Sequence, residues 1–121
     1  MARVLLVEDN EANRDMLGRR LVRAGHEVSF AVDAVGGVAA AQTGRPDLIL
    51  MDIGLGEIDG WEAVRRLKAE PATASIPVIA LTAHAMASDR ERAFQLGCAD
   101  FDTKPVDFRR LSEKIARCLG G

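Results

Sequence analysis

The residues in this chain best suited to chemistry are polar groups placed directly after apolar runs. Val4-Leu5-Leu6-Val7 leads into Glu8-Asp9, and Leu48-Ile49-Leu50-Met51 leads into Asp52, with Gly54 and Gly56 close behind. Val78-Ile79-Ala80-Leu81 ends on Thr82, and a short fifth strand predicted from Ala99 to Thr103 ends at Lys104-Pro105. Three carboxylates brought together raise one another's pKa unless positive charge offsets them. Hard oxygen ligands from one or two carboxylates plus waters describe a Mg²⁺ site. Lys104 adds a mobile point charge suited to a phosphoryl oxygen, and Thr82 a hydroxyl at the same level. Together these groups suit phosphoryl transfer, which needs positioning and charge neutralisation more than covalent help. Asp52 is the natural nucleophile, because carboxylates form aspartyl-phosphate intermediates. Singly, each residue has a plainer role: Glu8-Asp9 or Thr82 can cap a helix, and Lys104 can be a solvated surface lysine. The case for a site rests on their joint placement.

That placement depends on the elements between them. Short apolar runs bounded by turn residues fit strands buried on both faces of a parallel sheet, and such sheets bind ligands outside the strands' carboxyl ends. Between the runs the pattern turns helical. Asn10 can cap a helix over about Glu11 to Ala24, where Leu17, Leu21 and Ala24 share a face and Gly25 ends it. Glu27 to Val32 alternates, with Val28, Phe30 and Val32 on one face, as a half-exposed edge strand does. Asp33 can cap a second helix to Thr43, although Gly36 and Gly37 each cost it roughly 1 kcal/mol against Ala. Further helices are predicted over about Gly60 to Ala69 behind Asp59, Ala87 to Leu96 before Gly97, and Asp107 to Leu119. The last carries Phe108, Leu111, Ile115 and Leu119 on one face. Pro71 to Pro77 reads as a turn-rich connection. The alternation predicts an α/β fold, (βα)5, with five parallel strands in the order 2-1-3-4-5. Its switch point lies between the first and third strands, whose ends are Glu8-Asp9 and Asp52.

Composition bounds the rest. The 121 residues suffice for a single domain, 1–121, with 48% apolar and 28% charged residues and a formal charge of −2. No basic patch argues for nucleic acid or an anionic membrane surface. The N-terminal stretch breaks to acid too early for a signal peptide, and no run is long enough for a membrane span, so a cytoplasmic setting is expected. Cys98 and Cys118 read as small buried hydrophobes in a reducing compartment.

The ordered set Val-Leu-Leu-Val-Glu-Asp-Asn at 4–10, Pro-Asp-Leu-Ile-Leu-Met-Asp-Ile at 46–53, Asp59-Gly60, Pro-Val-Ile-Ala-Leu-Thr-Ala at 77–83, Gly97 to Asp100 and Lys104-Pro105 resembles the receiver domains of two-component response regulators over the whole chain. The closest type is a stand-alone chemotaxis or cell-cycle regulator, or the receiver of a hybrid kinase. The resemblance implies a doubly wound, flavodoxin-like fold. It also implies that Asp52 takes a phosphoryl group from a phosphohistidine on a sensor histidine kinase or a histidine phosphotransfer protein. Asp9, Asp52 and the Gly54 carbonyl would bind Mg²⁺, with Glu8 helping through water. Thr82 and Lys104 would hold phosphoryl oxygens, Phe101 would be the switch aromatic that turns inward with Thr82, and Lys104–Pro105 would be cis. The protein would be a phosphoprotein that catalyses only its own phosphorylation and dephosphorylation. It would signal to a protein target through the fourth helix, fifth strand and fifth helix, without binding DNA or membrane itself.

Some positions depart from the family's pattern. Gly56 replaces the loop's usual proline, and Phe101 lacks the hydroxyl of the commoner tyrosine. Gly54 and His84 stand where the family flanks the path of the attacking water. Three rival readings are weighed against this one. A Mg²⁺-dependent phosphatase of external substrates usually carries a second acid two residues after its nucleophile, where Gly54 stands. A flavodoxin-like binder needs a phosphate cradle after the first strand, where Glu8-Asp9-Asn10 would repel an anion. A receiver-like interaction module that is never phosphorylated would not need the full acid, threonine and lysine set.

Overall fold

The computed structural model describes residues 2–54, 59–83 and 86–120. Gly56 and His84, singled out above, lie outside the described residues. The elements alternate throughout: β1 (Arg3–Val7), α1 (Glu11–Arg23), β2 (Glu27–Ala31), α2 (Ala34–Gly44), β3 (Leu48–Asp52), α3 (Gly60–Ala69), β4 (Val78–Thr82), α4 (Ala87–Gln95), β5 (Asp100–Thr103) and α5 (Phe108–Cys118). All strand pairings are parallel, and the order is β2-β1-β3-β4-β5. The predicted α/β doubly wound topology is therefore the observed one.

Alternation along the strands sorts side chains onto two faces. Val4, Leu6, Leu48, Leu50, Ile79 and Leu81 pack with Leu17 and Leu21 of α1 and Leu111 and Ile115 of α5. Leu5, Val7, Ile49, Met51, Val78 and Ala80 pack under α2, α3 and α4 with Ala41, Val64, Leu67 and Ala93. Both β3 and β4 are buried at every position, as sheet-centre strands covered on both faces must be.

Helix starts follow the polar residues before them. Asn10, Asp33, Asp59 and Asp107 each accept a backbone N–H three residues on, from Asn13, Gly36, Glu62 and Arg110. In α2, the helix with two glycines in its first turns, Gly37 serves a close approach. A Cβ on Gly37 would stand 2.9 Å from a methyl of Val7, so the bare backbone lets α2 lie against β1.

β2 is the half-exposed edge strand that the alternation predicts, ending at Ala31, one residue before Val32: Phe30 is 49% and Val32 54% exposed. The sheet ends there, and the Phe30 ring rests over Gly18 of α1, where a Cβ would come within 2.7 Å of it. In α5, Leu111 and Ile115 are buried while Leu119, one residue past the helix, is 36% exposed. Cys98 is buried and Cys118 half-buried, and both are free thiols.

The connection after α3 is held by side chains. Thr73, fully buried, donates its hydroxyl to the Leu67 carbonyl at 2.6 Å, and Lys68 Nζ donates to the carbonyls of Ala74 at 3.0 Å and Ile76 at 2.7 Å. Thr73→Val keeps the shape but strands the Leu67 carbonyl away from water. A loss of about 1–3 kcal/mol is expected, read as a lower urea midpoint at unchanged slope.

Candidate functional site

The register of the sheet brings the chemical residues to one rim. Val7 pairs with Met51, so Glu8 and Asp52 leave adjacent strands at the same level. Asp52 pairs with Leu81 and Thr82 with Thr103, so Thr82 and Lys104 emerge one strand further on each time. Carboxylate oxygens of Glu8, Asp9 and Asp52 lie within 4.8 Å of one another. Lys104 reaches across: its Nζ is 2.9 Å from Asp52 Oδ1 and 3.1 Å from Glu8 Oε1. Thr82 is buried and lines the same cleft, of about 310 Å³, together with Gly54. The Lys104 backbone N–H donates to the Thr82 carbonyl at 2.7 Å, which ties the lysine's strand end to the threonine's. The Lys104–Pro105 peptide bond is cis.

Phe101 stands apart from this cleft. It is half-buried at the outer side of β5, against the core under α4, and lines a surface hollow with Met86, Arg90, Phe94 and Lys114.

Electrostatics show what the cluster lacks. Glu8 is buried, and its carboxyl is pushed up to about 7 from an ordinary 4.5. Burial is the main cause, the Asp52 carboxyl adds to it, and Lys104 only partly offsets it. Burial also opposes the charge on Lys104, but hydrogen bonds and attraction from Asp52 and Glu8 outweigh this and hold its ammonium above the usual lysine value. Glu8 and Asp52 share one lysine beside a third acid, and burial together with this crowding leaves the glutamate holding a proton near neutrality. A hard divalent cation fits this donor set: it would supply the missing positive charge and take oxygen ligands at that spacing.

Because the native pKa of Glu8 exceeds its unfolded value, the folded state binds more proton between pH 4.5 and 7. The stability this contributes is complete below pH 4.5 and is lost as pH rises through 7. In chelator, the melting temperature is expected to fall over that window by several degrees more in the wild type than in Glu8→Gln. Thermal melts across pH check this, and parallel curves would refute it.

The cleft also holds residues that sequence reasoning passed over. Trp61, the sole tryptophan, lines it from the first turn of α3 and lies under the Arg92 guanidinium at 5.1 Å from the ring centroid. Asp89 of α4 lines it from the far side. Arg14 Nη1 donates to the Glu8 carbonyl at 3.0 Å and fixes the backbone that carries the acids. A lone aromatic directly after Asp59-Gly60 was a usable signal for Trp61. Nothing local pointed to Arg14 or Asp89.

With this geometry in hand, the comparison with known proteins is direct. The family model for the response regulator receiver domain matches residues 4–116. The chain belongs to this family. It is a response-regulator receiver domain of two-component signalling. Among similar proteins, the polar-differentiation response regulator DivK of Brucella anthropi is 40% identical over 117 residues, covering 97% of this chain and 95% of that protein. The DNA-binding dual master transcriptional regulator RpaA of Synechocystis is 36% identical over 119 residues, covering 98% of this chain. This receiver domain spans only 49% of RpaA, about half its length. A solved receiver domain of a sensor histidine kinase from Pseudomonas aeruginosa PAO1, with a magnesium ion coordinated in its active-site cleft, superposes with a TM-score of 0.91 at 36% identity, over 99% of this chain and 98% of that one. Among the described residues, no helix of this receiver domain is long and apolar enough to cross a membrane.

Proposed function

We propose that Asp52 is the phosphoacceptor of a two-component or phosphorelay pathway. A carboxylate oxygen of Asp52 attacks the phosphorus of a phosphohistidine on a sensor kinase or histidine phosphotransfer protein. A P–O bond forms as the P–N bond breaks, and its electron pair returns to the imidazole, which takes a proton from solvent. The observation that carries this reading is the convergence of the Glu8, Asp9 and Asp52 carboxylates, with the Lys104 ammonium bridging Glu8 and Asp52. Asp9, Asp52 and the Gly54 carbonyl would hold Mg²⁺, with Glu8 acting through water. When bound, the ion neutralises the clustered acids and the oxygens of the transferring group. Lys104 then turns from the carboxylate to a phosphoryl oxygen, and the Thr82 hydroxyl donates to another.

The drawn-in Thr82 makes room for Phe101, which has no hydroxyl and so gains only packing from turning inward. The face formed by α4, β5 and α5 would carry the change to a protein target in the cytoplasm, with no DNA contact by this domain. The domain acts on no external substrate and catalyses only its own phosphorylation and dephosphorylation. Gly54 offers no second acid for the phosphatase alternative.

Intact-protein mass spectrometry after acetyl phosphate and Mg²⁺ tests the proposal. One phosphoryl group per chain is expected, mapping to Asp52 and absent when the metal is chelated. No adduct, or an adduct on another residue, would overturn it.

A further inference from the structure

Asp102 is an acid in a place that would suit an apolar residue. It lies on β5, 2% exposed, paired with Leu81 of β4. Burying an acid is costly unless it is paired and hydrogen-bonded, so an acid at this position calls for a positional reason. All the described contacts of Asp102 fall on one oxygen. Oδ1 accepts the Thr103 backbone N–H at 2.8 Å and Arg110 Nε at 2.9 Å, with a second guanidinium nitrogen at 2.7 Å. Oδ2 is buried without a hydrogen-bond partner among the described residues. Lys114 Nζ stands 3.8 Å from Oδ1 and donates instead to the Phe101 carbonyl at 2.5 Å.

Arg110 has a second hold, because its backbone N–H donates to the Asp107 side chain that caps α5. One residue therefore ties the end of β5 to the first turn of α5. The segment closed between these ends is 104–107, and its first residue is Lys104.

We propose that the Asp102–Arg110 pair is a staple that positions Lys104, closing the loop behind it so that its ammonium reaches Asp52 and Glu8. The consequence for phosphoryl transfer rests on the phosphoacceptor reading, but the geometric claim does not. Lys104 sits on a long flexible side chain in a segment without regular structure, so its reach is only as well defined as its backbone. The Thr82 carbonyl fixes that backbone on the sheet side, and the staple fixes it on the helix side. Asp102 and Arg110 touch neither Asp52 nor a substrate, and they act through Lys104.

The test compares Arg110→Gln and Asp102→Leu with wild type in three measurements: urea stability, nitrogen-15 NMR of the Lys104 ammonium, and the acetyl phosphate dependence of phosphorylation. Held by two carboxylates, the wild-type ammonium should exchange slowly with solvent. In both variants that slow exchange should disappear while the fold persists. The phosphorylation rate at saturating donor should fall about tenfold, as expected for a displaced positioning group. Arg110→Lys should restore part of the rate. Arg65→Gln, which breaks an exposed pair with Glu62 on α3, should change neither the ammonium signal nor the rate.

An unchanged Lys104 signal and rate in both variants would overturn the proposal. Should Asp102→Leu fail to fold, Arg110→Gln decides alone, since that side chain is 44% exposed. A lost Lys104 signal with no labelling of wild type would sink the phosphoacceptor reading and leave the staple standing.

Discussion

Asp52→Asn is expected to abolish phosphorylation by acetyl phosphate while leaving the domain folded. The amide has the carboxylate's shape but neither its charge nor a nucleophilic oxygen, so the P–O bond does not form. Folding should not suffer, because the acid is one of three clustered carboxyls and one of two that share Lys104. Burial raises the Glu8 carboxyl first, but the hydrogen bond and charge of Asp52 push it further, and both contributions change with the substitution. Lys104 keeps Glu8 as its partner at 3.1 Å. The urea midpoint should therefore hold or rise. Affinity for Mg²⁺ should fall roughly tenfold or more, since even loss of a ligand's supporting hydrogen bond has effects of that size. Trp61 lines the cleft and is the only tryptophan, so its fluorescence reports the metal titration without any phosphodonor. Labelling of D52N at a single site, at the wild-type rate, would end the account.

The acids and the threonine were legible in the sequence because they follow apolar runs, and the lysine because it stands before Pro105 at the end of the last short strand; a parallel sheet sends all such positions to one rim. Strand order followed from the same alternation. Harder to read were features whose cause lies in another element. Gly36 and Gly37 argue against a helix by propensity, yet α2 forms, and Val7 of β1 leaves no room for a side chain at Gly37. The exposure of Phe30 depends on what α1 presents beneath its ring. Asp102 looks like one more acid in a polar strand end until Arg110, from the next helix, is seen to reach back to it. In each instance a partner in another element decides the role, and no local pattern names that partner.

The same holds for Gly60, whose replacement by alanine should be among the most damaging single-methyl additions to this chain. A Cβ there would collide with the Asp52 carbonyl oxygen and lie 2.7 Å from Ile53 Cα and 2.9 Å from Ile53 Cδ1. Two of these neighbours are backbone atoms at the end of a fully buried strand, and they cannot swing away as a side-chain tip can. The Gly60 N–H also donates to the Ile53 carbonyl at 3.1 Å, so α3 is hydrogen-bonded to the segment it would have to leave. Overpacking of this kind is expected to cost about 3 kcal/mol, the upper part of the usual range. That corresponds to a fall in melting temperature on the order of 10 °C. Gly54→Ala makes the contrast on the other side of the acid. Among the described residues, the nearest atom to a Cβ there is Asp52 Oδ1 at 3.7 Å, an ordinary contact, so the stability change should stay within about 0.5 kcal/mol. Because relief at Gly60 must come from moving either α3 or the Asp52 backbone, Gly60→Ala should also slow phosphorylation of the molecules that remain folded. Equal denaturation midpoints for the two alanine variants would show that α3 does not rest on the acceptor strand as closely as these distances require.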